Sequence, residues 1–195
     1  MNIFIGCSAR NNIPKDEFDS CNKLICEVAK IPNLNLVFGA YYKGLMATCY
    51  DKFKKNNKKV IGATPKIYEE CLKEMNCDDV VITDTTMERF NEIYKVSDIF
   101  LILPGGLGTL TELFNAIEEN RTNNSNKKII IYNKNYFYTP IIQGLYKMYE
   151  NKYIDEPLTN YFTIESDENK IIELIKKEMD WYEWKINNGK ISKLL

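Results

Sequence analysis

Histidine is absent from this chain. Its absence excludes every His-based catalytic triad, His-ligated zinc centre and His general base. Arginine is scarce: Arg10, Arg89 and Arg121 stand among 26 basic residues, the rest being lysine. The six cysteines, Cys7, Cys21, Cys26, Cys49, Cys71 and Cys77, include no pair separated by two residues. Zinc ribbons and CxxC redox motifs are therefore excluded, and the thiols are read as small core-filling groups. No apolar run approaches the roughly 20 residues that span a bilayer. The opening Met1–Gly6 has neither the charged lead nor the long apolar stretch of a signal peptide, so it is read as a first strand and a cytoplasmic location is expected. The 26 basic residues face 27 acidic ones, a formal net charge of -1, which argues against a general nucleic-acid binder.

Apolar runs alternate with amphipathic stretches along the 195 residues, 45% of them hydrophobic. A chain of this size can bury about 70% of its unfolded surface and needs no metal or disulfide to fold. Strands are expected at Ile3–Gly6, Leu34–Gly39, Val60–Gly62, Val80–Thr83, Ile99–Leu103, Lys128–Tyr132 and Phe162–Ile164. Helices are expected at Lys15–Lys30, Gly44–Asn56, Ile67–Met75, Thr86–Val96, Thr109–Asn120, Pro140–Asn151 and Asp167–Ile186. Continuous apolar strands such as Ile99–Leu103 imply burial on both faces, and crossover helices make the sheet parallel. The expected fold is one α/β domain over residues 1–195, a Rossmann-like doubly wound parallel sheet, with 187–195 as a tail. Such sheets bind ligands beyond the carboxyl ends of their strands. Asn120–Asn126 reads as a polar loop, and the basic run Lys54–Lys59 as a solvated helix end.

The strongest motif is Pro104-Gly105-Gly106-Leu107-Gly108-Thr109, continuing to Glu112. It follows a buried strand and opens a helix, where glycines admit an anion close to backbone N–H groups and the helix end adds partial positive charge. A tight structural turn is the competing reading, and Thr109 with Glu112 fits a capping box. It is not a Walker A loop, and no Gly-x-Gly-x-x-Gly follows the first strand. The second signal is Arg89. Asp84–Glu88 reads as a capped helix start, which places a cation where it opposes the helix dipole; such a broken local rule marks either function or plain solvent exposure. Arg89 and Glu112 would both face the carboxyl edge of the sheet. The third is Gly6-Cys7-Ser8-Ala9-Arg10, in which Ser8 either contacts a ligand or belongs to a plain loop.

Together these residues resemble the Lonely Guy family of cytokinin riboside 5′-monophosphate phosphoribohydrolases, whose members often carry the label lysine decarboxylase. The resemblance runs from about Ile3 to Ile154 and is most specific at Pro104–Thr109 with Glu112 and Arg89. Ser97-Asp98, Gly6-Cys7-Ser8, Gly44-Leu45-Met46 and Gly62-Ala63-Thr64-Pro65 match further segments. The resemblance implies a Rossmann-like homodimer that cleaves the N-glycosidic bond of a nucleoside monophosphate to free base and ribose 5-phosphate. It implies catalytic roles for Arg89 and Glu112, and substrate contacts from Ser8, Met46, Gly105, Gly106, Leu107, Gly108 and Thr109. Neither metal nor cofactor is expected. The chain departs from the pattern at Phe90 (a lysine in the family), at Gly39-Ala40-Tyr41 (three glycines), and at Ala47, Met87 and Thr111.

In the mechanism this implies, Glu112 stabilises a ribosyl cation and orients water, while Arg89 anchors the phosphate or assists the departing base. Alternatives are a non-enzymatic nucleotide-binding or sensing protein, a carrier of a phosphate-bearing pterin, and a deoxyribosyl transferase. Lysine decarboxylation is disfavoured, since no lysine stands in a recognisable cofactor setting.

Overall fold

The computed structural model describes residues 1–123 and 125–188. Seven strands form one sheet: β1 (Asn2–Gly6), β2 (Asn35–Phe38), β3 (Val60–Pro65), β4 (Asp79–Thr83), β5 (Ile99–Ile102), β6 (Lys128–Tyr132) and β7 (Thr163–Glu165). Six α-helices cross between or follow them: α1 (Lys15–Lys30), α2 (Gly44–Lys55), α3 (Thr86–Val96), α4 (Leu107–Thr122), α5 (Thr139–Glu150) and α6 (Glu168–Asn187). The strand order is β4-β3-β2-β1-β5-β6-β7, and every pairing is parallel. The chain winds outward from β1 to β4, returns to place β5 beside β1, then winds outward the other way. The β1/β5 seam is thus the point where winding reverses, and crevices open there at the carboxyl ends of the strands. Gly6 pairs with Ile102 across it.

Alternate residues of each central strand serve opposite cores. Ile3, Ile5, Leu101 and Phe38 pack with Leu24, Ile25, Phe53 and Ile175 under α1, α2 and α6. Phe4, Val37, Phe100 and Ile102 pack with Ile93, Leu113 and Ile142 under α3, α4 and α5. This two-sided burial is the physical reason the central strands read as unbroken apolar runs. Cys7, Cys21 and Cys49 are buried core groups, whereas Cys26, Cys71 and Cys77 are only partly covered. The basic run is a structural feature, with Lys54 and Lys59 paired to Asp78 and Asp79.

Three expectations change. The segment expected as a helix over Ile67–Met75 is a 3₁₀ stretch, Lys66–Glu74, with no buried residue; Leu72 packs against the core while Ile67 and Tyr68 stay exposed, too little apolar contact to offset the cost of ordering a full helix. The polar loop expected from Asn120 begins later, because α4 runs to Thr122 and Asn120 is drawn inside, accepting from the Tyr94 hydroxyl at 2.8 Å. The capping box expected from Thr109 and Glu112 does not form. The helix starts two residues earlier with Gly106 as its N-cap, which frees both side chains for other work. The tail expected over 187–195 lies outside the described residues beyond Asn188. No described helix is long and apolar enough to cross a membrane.

The capped start expected for α3 is present. The Thr85 hydroxyl accepts from the Glu88 amide at 3.1 Å, and the Glu88 carboxylate accepts from the amides of Thr85 and Asp84 at 3.3 and 3.0 Å. This box fixes the first turn of the helix that carries Arg89. Thr85→Ala is expected to cost about 1 kcal/mol of stability, read as a lower urea midpoint at unchanged denaturant slope.

Candidate active site

A cleft of about 900 Å³ opens at the carboxyl edge of the sheet, over the β1/β5 seam. The loop after β1 supplies Cys7 through Asn12, the end of β2 and its loop supply Gly39, Ala40, Tyr41 and Lys43, and α2 adds Met46. Thr64, Pro65 and Tyr68 come from the end of β3 and the stretch after it, Arg89 from α3, and Gly106, Leu107, Gly108, Thr109 and Glu112 from the start of α4. The expected catalytic and substrate-contact residues therefore line one cleft, Gly105 excepted. A Cβ on Gly105 would stand 2.2 Å from the Thr109 Oγ1, so only glycine lets Thr109 fold back against the turn. Ser8 ties the loop after β1 to this turn and to α2. Its amide donates to the Pro104 carbonyl at 3.2 Å, and its carbonyl accepts from the Leu45 amide at 3.0 Å.

Arg89 is 8% exposed and Glu112 5%. Arg89 Nη2 donates to Glu112 Oε1 at 2.8 Å, and Arg89 Nε donates to the Ala63 carbonyl at 2.9 Å. Solvent exposure is thus excluded as the account of Arg89. Gly39 makes room for this geometry, since a Cβ there would stand 2.6 Å from Arg89 Nη2. Glu112 Oε2 is buried without a hydrogen-bond partner among the described residues. Burial pushes the Glu112 carboxyl above the ordinary carboxylate range, and the Arg89 charge opposes that push without overcoming it. A buried polar atom left unsatisfied at the floor of a cleft is the kind of exception that marks chemistry.

The cleft is cationic. Arg10, Lys43 and Arg89 line it, against Glu112 as the one carboxylate among its described lining residues. The first-turn amides of Leu107, Gly108 and Thr109 have no helical acceptor and add the positive end of the α4 dipole. Leu107 is 84% exposed, so it contributes backbone more than packing. Gly106 and Gly108 have open space where a Cβ would stand, which keeps this amide row approachable. Residue-by-residue reading of the sequence missed Lys43, Thr64 and Tyr68. Thr64 stands in the matching Gly62–Pro65 segment without an implied role, and Lys43 and Tyr68 carry no signal of their own; each lies just past or at the end of β2 or β3, where the edge rule for parallel sheets could have found them.

The ion pair has a pH signature. A buried carboxyl whose folded pKa is raised contributes stability that is fully present below its unfolded pKa and lost as pH rises through the folded one. Arg89 supplies both influences that lower the Glu112 pKa. Arg89→Met should therefore raise it further and leave an uncompensated buried charge at high pH. The expected loss is about 3–5 kcal/mol near pH 8, shrinking toward pH 5, as checked by urea unfolding at both values.

Comparison with known proteins bears on this geometry. A family model described as possible lysine decarboxylase matches residues 46–175. The cytokinin riboside 5'-monophosphate phosphoribohydrolase of Mycobacterium tuberculosis is 33% identical over 98 residues, which span 49% of this chain and about half, 52%, of that one. The cytokinin riboside 5'-monophosphate phosphoribohydrolase LOG1 of Arabidopsis thaliana is 28% identical over 180 residues, covering 92% of this chain and 82% of its own. Among solved structures, the Moco carrier protein of Chlamydomonas reinhardtii superposes with a TM-score of 0.65 at 15% identity, covering 92% of this chain and 97% of that one. The molybdenum cofactor binding protein of Rippkaea orientalis superposes at 0.64 with 20% identity, over 91% and 95%. At such identities these two likenesses bear on the fold alone. The family match over two thirds of the chain, which takes in Met46, Arg89 and the start of α4, places this protein in the family described as possible lysine decarboxylases, the Lonely Guy family.

Proposed function

We propose that the chain is a nucleoside 5′-monophosphate phosphoribohydrolase, adding water across the N-glycosidic bond to give a free base and ribose 5-phosphate. The observation that carries this reading is Glu112: a dry carboxylate with one oxygen held by Arg89 and the other unpartnered, at the floor of a cationic cleft. Cleavage of an N-glycoside builds positive charge on the ribosyl carbon in the transition state. A fixed carboxylate in a low-dielectric site stabilises that charge and pays no reorganisation cost as it forms. Glu112 Oε2 also suits an attacking water, orienting it and taking its proton, which then passes to the departing base nitrogen, so that one water is added in all. The amides of Gly106, Gly108 and Thr109, with the α4 dipole, suit the 5′-phosphate and would hold the sugar over Glu112. Arg89 spends Nε on Ala63 and Nη2 on Glu112. Its main work in this reading is to hold Glu112 ionised and aimed, with Nη1 left for the substrate. Ser8 and Met46 line the opposite wall and would border the ligand.

The names of the relatives support the same reaction class. A second reading, carriage of a phosphate-bearing pterin, would use the same anion cradle, and the roominess of the cleft favours it. One assay separates the two: incubation with a panel of nucleoside monophosphates, measuring ribose 5-phosphate release. Under the hydrolase reading at least one is turned over. Glu112→Gln then loses more than about a hundredfold in turnover with nucleotide binding retained. Because ionised Glu112 does the work and its pKa is raised, the acid limb of kcat/KM is expected above the ordinary carboxylate range. Full turnover by Glu112→Gln removes Glu112 from the mechanism.

A further inference from the structure

We propose that Tyr138 is a positioning residue for the anion-binding turn: its hydroxyl holds the carbonyl of Leu103 at the root of Pro104–Thr109 and so sets where the amides of Gly106 to Thr109 stand. The inference rests on the phosphoribohydrolase reading of the cleft and adds a residue outside it, since Tyr138 does not line the cleft.

Tyr138 is 1% exposed, and its hydroxyl donates to the Leu103 carbonyl at 2.7 Å. Leu103 is where the chain leaves the sheet; its amide donates across the seam to the Gly6 carbonyl at 2.8 Å. The next carbonyl, that of Pro104, accepts from the Ser8 amide at 3.2 Å. Two successive carbonyls are thus pinned from two different elements, Tyr138 at the start of α5 and Ser8 in the loop after β1. Gly105 follows directly, with Thr109 folded against it. The turn therefore enters α4 with little freedom left. Burial holds the Tyr138 phenol well above its ordinary range, so it remains a donor across the working pH; the Gly105 amide directed at it acts in the opposite sense.

The segment that delivers Tyr138 is strained. Asn135 and Tyr136 stand consecutively in the left-handed region, with φ of 50° and 60°. Neither is glycine, and a bulky aromatic there is costly. Asn133 holds the strained turn in place. Its amide donates to the Glu165 carbonyl at 2.8 Å, its Oδ1 accepts from the Tyr138 amide at 2.8 Å, and its Nδ2 donates to Thr139 Oγ1 at 3.0 Å. Phe137 sets its ring edge-on to Tyr138 at 4.8 Å. Strain that is over-determined by its surroundings clusters at sites whose geometry matters, and here what it fixes is one phenol oxygen against one carbonyl.

Tyr138→Phe keeps the ring and removes the bond. Calorimetry with ribose 5-phosphate and steady-state kinetics with AMP test it. Affinity for ribose 5-phosphate is expected to fall about tenfold and KM to rise similarly, since a turn displaced by a fraction of an ångström loses its hold on the phosphate. The expected change in kcat is less than about threefold, and adenosine, which lacks the phosphate, should bind as before. Ile142→Val, in the same helix and core, should lower thermal stability and leave ribose 5-phosphate affinity unchanged. Wild-type affinity for ribose 5-phosphate in Tyr138→Phe, or an equal loss for adenosine, overturns the inference alone. A wild-type protein that binds neither ribose 5-phosphate nor AMP overturns the phosphoribohydrolase reading and this inference with it. Should Tyr138→Phe not fold, Asn133→Ala must show the same phosphate-selective loss, and unchanged affinity there counts against the role.

Discussion

A guanidinium and a carboxylate meeting at 2.8 Å in a nearly dry setting, beside the seam where the sheet reverses its winding, is the constraint around which the cleft is arranged. Gly39 has no side chain because Arg89 Nη2 occupies that space, and the Ala63 carbonyl at the end of β3 is turned to accept from Nε. The capping box of α3 places Arg89 one turn into its helix, and the early start of α4 leaves Glu112 facing inward. Stability does not explain this investment. Taking two charges out of water costs several kcal/mol per ion, and well-packed apolar residues of similar volume commonly do as well or better. One carboxylate oxygen is also left without a partner. A structural ion pair would have satisfied it. What the arrangement gains is a carboxylate kept ionisable, immobile and poorly solvated, the state in which a fixed negative charge acts most strongly on a developing positive one.

The proposed anion cradle and the acid are two ends of the same helix start. The amides that open α4 and the carboxylate one turn further in are related by a single rigid turn, so an anion held by the first fixes the distance of its attached sugar from the second. This coupling depends on α4 beginning at Leu107. Had it begun at Thr109 with a capping box, the Thr109 hydroxyl would serve as a cap and the Glu112 carboxylate would fold back on the helix end. The Gly105–Thr109 packing favours the earlier start, which gives the glycines a role in placing the acid beside the proposed one in admitting an anion.

Much of this was legible in the sequence, for identifiable reasons. Lys15–Lys30, Thr86–Val96 and Lys128–Tyr132 coincide with their elements because strong periodicity or an unbroken apolar run met clear end signals. Arg89 stood out because a cation in the first turns of a capped helix contradicts the local dipole, and such a conflict needs a tertiary cause. The cause itself was not legible. The Ala63 carbonyl and the room at Gly39 are backbone features reached across tens of residues, and backbone groups carry no side-chain signature. The Thr109–Glu112 spacing misled because it satisfies a local rule that a glycine N-cap overrode. The 3₁₀ stretch misled because the residues from Ile67 to Met75 carry helical spacing, yet none of Lys66–Glu74 is buried and Ile67 and Tyr68 stay exposed. Tyr138, outside the helix expected from Pro140, carried no signal in the sequence that pointed to the turn.

The departure at Phe90 changes meaning once it is placed. Read as a sequence, it is a cation lost from the substrate's surroundings. In the fold, Phe90 is 5% exposed and does not line the cleft, and its ring lies 5.6 Å from the Arg89 guanidinium carbon. That contact favours the charged guanidinium through the ring face and screens it from water. The cleft's positive balance comes from the opposite wall, where Arg10 follows β1 and Lys43 precedes α2. Arg10 sits in the loop anchored by Ser8, whose hydroxyl accepts from the Arg10 amide at 3.1 Å. The Gly44 amide, next to Lys43, is held by Asn11 Oδ1 at 2.9 Å. The two cations are thus borne on backbone fastened to the same loop, and that loop is fastened to the Pro104 turn. The wall that carries the charge and the wall that carries the amides are joined by short hydrogen bonds, so charge lost on α3 need not mean charge lost from the cleft.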